Sequence, residues 1–173
     1  MVRIESSSHT VEVGRRIGSL LTAGDLIILD GPLGSGKTTL TRGIGGGMGV
    51  RGPVTSPTFV IARVHQPGGE GLTPLVHVDA YRVDSVDDLE SLDLDGSTED
   101  SATVVEWGVG RVESLTSSYL TITLRRDDVE AAHEDVDTEV DPEEIRTLSW
   151  SVVGDGWDQR LAALTTLLGP QQG

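Results

Sequence analysis

The stretch LIILDGPLGSGKTT, residues 26–39, constrains the fold of this chain more than any other feature. Its apolar first half is typical of a strand buried on both faces of a sheet. Residues 31–38 then fit the pattern G-x-x-x-x-G-K-[ST] without a mismatch. Glycines there let successive backbone N–H groups curl around an anion, and a following helix adds its N-terminal donors and dipole. We therefore expect a strand, a phosphate-binding loop and a helix in that order.

Two side chains give this loop its chemistry. Lys37 is the only lysine in the chain, and the other twelve basic residues are arginines. Its compact ammonium suits the β- and γ-phosphates of a nucleotide, while the Thr38 hydroxyl suits Mg²⁺. We predict nucleoside triphosphate binding rather than a glycine-rich turn that binds nothing. The predicted nucleotide-binding residues of the loop are Gly34, Ser35, Gly36, Lys37, Thr38 and Thr39.

The nucleotide and the reaction need further signals. The chain contains no asparagine, so it lacks the N-K-x-D motif that reads guanine in GTPases, and this favours ATP. Three classes remain open from the residues alone: a small-molecule kinase, an ATPase, and a module that binds ATP without hydrolysis. A kinase usually carries arginines in a lid over the phosphates, and the candidate lid at 84–101 has none.

Three polar residues lie after the loop at places that suit catalysis. Thr58 follows a proline in TSPTF, where it could contact the γ-phosphate, Mg²⁺ or the attacking water. Asp79 ends the apolar run of VHVDAYR, the usual place of a carboxylate that binds Mg²⁺. Glu106 ends VVEWG in the same way and could orient water. Each has an ordinary alternative: a turn threonine, a turn-capping aspartate and a glutamate at a strand edge.

The order of elements predicts an α/β fold of the P-loop NTPase type in one domain over 1–173. We expect three layers, with a mixed, mostly parallel sheet between helices and a C-terminal antiparallel hairpin. The glycine-rich run at 43–49 is expected to stop the helix that follows the loop, because glycines in a row weaken a helix. The predicted helices are 10–23, 37–44, 85–94 and 157–168. The predicted strands are 25–30, 75–83, 102–108, 118–126 and 145–154, together with the later part of 53–65, which begins as a loop bracketed by two prolines.

Charge and composition exclude several classes of protein. The net charge is −15, and residues 127–144 hold ten acidic residues with no lysine or arginine. We interpret this segment as a solvated, mobile loop between two strands, with a docking segment for a basic partner as the alternative. The sequence has no basic stripe of the kind that would indicate independent RNA binding. Because cysteine is absent, no disulfide-linked partner is possible. No signal-peptide or membrane-span pattern occurs, so we expect a cytoplasmic protein.

Taken together, the segments GPLGSGKTTLTRG, V-T-SPTF, H-V-DAYR and VVEWG resemble the TsaE (YjeE) family, over about residues 10–107. The resemblance implies a bacterial ATPase required for the N6-threonylcarbamoyladenosine (t6A) modification of adenosine 37 in tRNA. It implies the partners TsaB and TsaD, with tRNA reached through that complex. ATP hydrolysis would reset the complex between turnovers. Turnover would be slow in the isolated protein, since it lacks an arginine finger.

The resemblance also assigns roles to individual residues. Lys37 and Thr38 take the phosphate-loop roles, and Thr58 takes that of a switch threonine. Asp79 and Glu106 would lie near Mg²⁺ together with the Thr38 hydroxyl.

Two further residues are carried over, and two features depart from the family. Trp107 would lie beside the nucleotide or a partner, and Thr10 would lie near the nucleotide base. Pro32 replaces an acidic residue common in the family, a change we expect to be tolerated because that position acts through its backbone. The segment 127–144 is longer and more charged than expected, so no nucleotide contact is assigned to it.

Overall fold

A computed structural model describes residues 1–57, 61–82, 99–126 and 145–169 of the chain. Thr58, the helix predicted at 85–94 and the acidic segment 127–144 lie outside the described residues. The strands are β1 (Val2–Ile4), β2 (Leu26–Asp30), β3 (Ala62–His65), β4 (Leu75–Asp79), β5 (Ala102–Glu106), β6 (Tyr119–Arg126) and β7 (Arg146–Val153). The α-helices are α1 (Ser7–Gly18), α2 (Lys37–Met48), α3 (Asp155–Asp158) and α4 (Leu161–Leu168), with 3-10 turns at Ala80–Arg82 and Glu113–Leu115.

The seven described strands form one mixed sheet in the order β1-β7-β6-β2-β5-β4-β3. Its four central strands, β6, β2, β5 and β4, run parallel, and the outer pairs are antiparallel. The predicted α/β class and the C-terminal hairpin of β6 and β7 are therefore confirmed. Because β2, β4 and β5 run in the same direction, the polar residues that end them meet at one edge of the sheet.

Strand alternation divides the core into two faces. The helix face carries β-strand residues such as Ile27, Leu75 and Val104, which pack with all four described α-helices. The opposite face carries residues such as Ile28 and Val76. His77, Asp79 and Glu106 have the same parity as the helix-face residues of their strands, so they project toward the side on which α2 begins.

The glycine-rich run at 43–49 does not stop α2, and that prediction is wrong. The helix continues to Met48 and ends at Gly49, whose φ of +70° gives a left-handed cap. A Cβ on Gly43 would lie 2.2 Å from the Val11 carbonyl oxygen, and one on Gly47 would lie 2.1 Å from that of Arg15. These glycines therefore let α1 approach the backbone of α2, and tertiary contact outweighs their low helix propensity.

Helix α1 also contributes glycines to its contact with α2. A Cβ on Gly14 of α1 would lie 2.3 Å from the Leu40 carbonyl oxygen, and one on Gly18 would lie 2.1 Å from that of Ile44. Glycines from both helices thus form a single crossing at backbone distance. The crossing fixes α2, and with it the phosphate loop, against α1.

Other differences concern the ends of elements. Helix α1 begins at Ser7 rather than at Thr10, because the Ser6 side chain caps it by accepting a bond from the His9 N–H at 3.1 Å. Within 53–65, where the sequence predicts a loop followed by a strand, the described strand is β3, and the predicted C-terminal helix is divided into α3 and α4. The short edge strand β1 was not predicted. Of the described helices, none combines the length and apolarity needed to span a bilayer.

Substitution at the helix crossing tests this packing. We expect Gly43→Ala to destabilise the protein by about 1–3 kcal/mol, because its methyl group meets a backbone carbonyl that cannot move freely. Gly46→Ala on the same helix is the matched control, since its Cβ would meet only the Arg15 guanidinium, at 3.8 Å. That variant should gain about 0.5–1 kcal/mol from helix propensity. Urea unfolding measures the free energy of unfolding of both variants. Equal changes of the same sign in the two variants would contradict the close crossing.

Candidate functional site

The loop between β2 and α2 has the backbone of a phosphate cradle. Gly31, Gly34 and Gly36 have φ values of +137°, +75° and +103°, a region that side-chain-bearing residues rarely adopt. A Cβ on Gly31 would also lie 2.2 Å from the Leu124 carbonyl oxygen. Gly36 is the N-cap of α2, so the positive end of that helix faces the loop. The glycines leave the backbone N–H groups of the loop open to an anion, which fits the phosphates of a nucleotide.

Lys37 lies inside this loop with 4% of its surface exposed. Its ammonium donates hydrogen bonds to the carbonyl oxygens of Gly31 at 2.7 Å and Pro32 at 2.9 Å. The same nitrogen lies 3.8 Å from the centroid of the Trp107 ring, a cation–π contact. Burial lowers the pKa of Lys37, and the nearby carboxylates, chiefly that of Glu106, oppose the shift.

Glu106 joins the loop to the sheet. It ends β5 with 4% of its surface exposed, and the Thr38 hydroxyl donates to its carboxylate at 3.0 Å to Oε1 and 3.2 Å to Oε2. His77 Nε2 lies 2.8 Å from Oε1 on the other side. Two residues predicted from separate motifs, Thr38 and Glu106, are therefore in direct contact.

Asp79 lies beside Glu106 at the same edge of the sheet. The two residues are opposite each other in the parallel pairing of β4 with β5. The Asp79 carboxylate accepts a bond from the Tyr81 N–H at 3.1 Å, which is the turn-capping role that the sequence also allowed. The carboxylate still lines the cleft of about 370 Å³ above the loop. That cleft is formed by Leu33, Gly34, Gly36, Lys37, Thr38, Thr39, Ser56, Asp79, Glu106 and Trp107.

Trp107 is held in an unusual backbone conformation. Its φ of +62° is the one positive value at a non-glycine residue in the described chain. Its N–H donates to the Leu29 carbonyl oxygen at 3.2 Å, and its ring lies 5.4 Å from that of Tyr81. A bulky residue in this region is strained, and such strain concentrates at functional sites. Here the conformation places the indole against Lys37.

Thr10 lies beside the loop, in a pocket next to the larger cleft. It is buried on α1, and its hydroxyl donates to the Ser6 carbonyl oxygen at 3.1 Å. A small pocket next to the loop is lined by Ser7, Thr10, Gly34, Gly36, Thr39 and Arg146. The loop residues Gly34, Gly36 and Thr39 also line the larger cleft, so the two cavities meet at the loop. Ser35 is fully buried beneath it.

Sequence reasoning missed several residues of the site, among them His77, Ser56 and Arg146. His77 lies within the motif VHVDAYR and receives no role from the sequence, although its two-residue spacing from Asp79 places both on one strand face. Ser56, two residues before Thr58 in the sequence, lines the cleft. Arg146 comes from β7, more than a hundred residues from the loop, and no local pattern marked it.

The donor set of the site suits Mg²⁺. Thr38, Glu106 and Asp79 offer oxygen atoms, which this ion prefers. The described residues contain no cluster of three or more histidine, cysteine, aspartate or glutamate side chains able to hold a metal. A site with one hydroxyl and two carboxylates fits an ion that keeps several waters and shares its coordination with substrate phosphates.

Comparison with known proteins adds the family. The family model described as "Threonylcarbamoyl adenosine biosynthesis protein TsaE" matches residues 4–135. A Streptomyces coelicolor protein named tRNA threonylcarbamoyladenosine biosynthesis protein TsaE is 52% identical over 147 residues, which cover 84% of this chain and 92% of the relative. Its Mycobacterium tuberculosis H37Rv namesake is 45% identical over 147 residues, covering 82% of this chain and 81% of the relative.

A solved structure supports the fold. The crystal structure of Bacillus subtilis YdiB matches with a TM-score of 0.69 and covers 96% of this chain and 97% of that one. Its sequence identity is 24%, so the likeness concerns architecture.

His65, buried on β3 near this site, is expected to make the free energy of unfolding depend on pH. Burial, the neighbouring His77 and then Arg63 lower the pKa of His65 below its ordinary value of 6.5. As pH falls below 6.5, His65 takes up a proton more readily in the unfolded chain than in the native state, so the free energy of unfolding falls. We expect His65→Leu to weaken this pH dependence. Thermal unfolding at about pH 8 and about pH 5.5 checks it, and parallel curves for both proteins would contradict the assignment.

Proposed function

The chain belongs to the TsaE family, and from this premise we propose that it is an ATPase acting in the t6A modification of tRNA. The match covers more than half of the chain, and the relatives reported above carry the name of that pathway. The family resemblance expected from the four sequence motifs is thereby confirmed.

One observation carries the proposed chemistry. The hydroxyl of the phosphate-loop residue Thr38 donates to the buried carboxylate of Glu106 at 3.0 Å. This contact brings a predicted magnesium ligand and a predicted catalytic carboxylate together at the mouth of the phosphate loop. A nucleotide-binding turn with no further chemistry would not need a buried carboxylate at that point.

The roles of the side chains follow from their places in the cleft. The loop N–H groups and Lys37 bind the β- and γ-phosphates, which fixes the γ-phosphate near Glu106. Thr38, Glu106 and Asp79 are proposed to hold Mg²⁺, which neutralises phosphate charge when bound. Glu106 then orients a water for in-line attack on the γ-phosphate. Trp107 packs on Lys37 and limits the access of bulk water to its ammonium.

The substrate is proposed to be ATP. The absence of asparagine removes the guanine-reading motif, as argued above. Thr10 and Thr39 line the pocket beside the loop, next to the cleft that holds the phosphates. We place the adenosine moiety in that direction, with Thr10 near the base.

The proposed biological role is that of a switch on a complex of TsaB and TsaD, with tRNA contacted through those partners. None of the described residues that line the cleft is an arginine, the residue that serves as an arginine finger in other P-loop enzymes. Such a group contributes on the order of 10³-fold or more to turnover. We therefore expect slow hydrolysis by the isolated protein, and a changed rate when the partners are bound.

Two substitutions separate binding from hydrolysis. We expect Lys37→Ala to weaken ATP binding by about 10–100-fold, because it removes charge-assisted bonds to phosphate. Glu106→Ala should bind ATP about as well as the natural protein but lose about 10²-fold or more in hydrolysis. Calorimetric titration and phosphate release measure the two effects.

The control is Glu70→Ala, which removes an exposed carboxylate far along the chain from the loop. This variant should leave the ATP affinity and the rate of ATP hydrolysis unchanged. Undiminished hydrolysis by Glu106→Ala would refute the assigned role of this carboxylate. A phosphorylated small molecule as the product would instead indicate a kinase.

A further inference from the structure

His77 is a buried polar residue that the proposed chemistry leaves without a role. It lies in the middle of β4 and is fully buried. Its Nε2 lies 2.8 Å from Glu106 Oε1. Its Nδ1 is also buried and has no hydrogen-bond partner among the described residues. One ring nitrogen thus meets the central carboxylate of the site, and the other has no hydrogen-bond partner in the described part of the chain.

This geometry selects one tautomer of the ring. Glu106 Oε1 belongs to a carboxylate that accepts hydrogen bonds, so the ring nitrogen facing it must carry the hydrogen. Nδ1, with its lone pair and no donor opposite it, is the nitrogen without hydrogen in the neutral ring. His77 therefore donates from Nε2 to Glu106.

Burial of the unpartnered Nδ1 has a free-energy cost, so packing alone does not account for a histidine at this position. A buried lone pair without a partner is unfavourable, and an apolar side chain of similar size would avoid it. Its neighbours on the same sheet face, Leu75 on β4 and the paired residue Val104 on β5, are fully buried and apolar. A polar residue beside them therefore requires a gain at its other end, and its Nε2 bond to Glu106 supplies that gain.

We propose that His77 is a positioning residue that sets the orientation of the Glu106 carboxylate. Glu106 Oε1 is held between two donors, Nε2 of His77 from β4 and the Thr38 hydroxyl from the phosphate loop. The Thr38 bond alone leaves the carboxylate free to follow the loop. The His77 bond ties it to the rigid sheet. This inference rests on the proposed hydrolysis, because it concerns how the carboxylate is aimed at water.

A neighbouring histidine provides a matched control. His65 lies on the adjacent strand β3 with 6% of its surface exposed, and its ring centroid is 6.4 Å from that of His77. Its Nε2 is likewise buried without a partner in the described chain, and no bond joins it to Glu106. Loss of its ring disturbs the same part of the core without touching the carboxylate.

The kinetic test uses the full-length protein with ATP and Mg²⁺. We expect His77→Leu to lower kcat by about 10-fold or more while KM changes by less than about 3-fold, because positioning acts on the chemical step. His77→Gln retains an N–H donor and should recover part of kcat. His65→Leu should keep the natural kcat. Equal kcat for His77→Leu and His65→Leu would overturn the proposal, as would equal losses in the leucine and glutamine variants.

A spectroscopic test needs neither nucleotide nor metal. Nitrogen-15 NMR of the histidine rings should show His77 in the Nε2–H form in the natural protein. Glu106→Ala should shift the ring toward a mixture of tautomers, while the control Glu70→Ala should not. An Nδ1–H form, or no response to Glu106→Ala, would overturn the inference. Absence of ATP hydrolysis by the natural protein would refute the proposed function instead, and the tautomer would still report on the bond.

Discussion

The carboxylate of Glu106 is the point at which the loop, the sheet and the proposed chemistry meet. It lies at the end of β5, almost fully buried, and accepts hydrogen bonds from the phosphate loop and from β4. Burial of a carboxylate is unfavourable unless donors or positive charges surround it. Thr38, His77 and the ammonium of Lys37 meet that requirement here. The need to satisfy this buried charge therefore holds the loop in register with the strand ends.

The position of the loop depends in turn on the crossing of α1 and α2. Glycines on both helices bring the two backbones into contact, so α2 has little freedom to slide or rotate. Since α2 begins at Lys37, the crossing also fixes the lysine and threonine of the loop. The same contact holds Thr10 of α1 beside the loop. Residues remote from the chemistry thus determine where the phosphate-binding groups lie.

Much of the fold and of the candidate site could be predicted from the sequence, because the motifs that indicate them are local. The phosphate loop is a contiguous motif, and the apolar runs that end at Asp79 and Glu106 mark both as candidate catalytic residues. The prediction for the end of α2 is wrong because helix propensity describes an isolated helix, whereas Gly43 and Gly47 lie against the backbone of α1. Arg146 reaches the site through the register of β7, and such long-range pairing leaves no local trace.

Repeated rounds of tRNA modification test the central claim most directly. A reaction containing the natural protein, TsaB, TsaD, tRNA and threonylcarbamoyl donor can be supplied with ATP or with an analogue that cannot be hydrolysed. If ATP hydrolysis at Glu106 resets the complex, ATP should support many t6A products per complex, and the analogue should stop the reaction after about one. Equal product yields with the two nucleotides would contradict the account, because hydrolysis would then have no part in turnover.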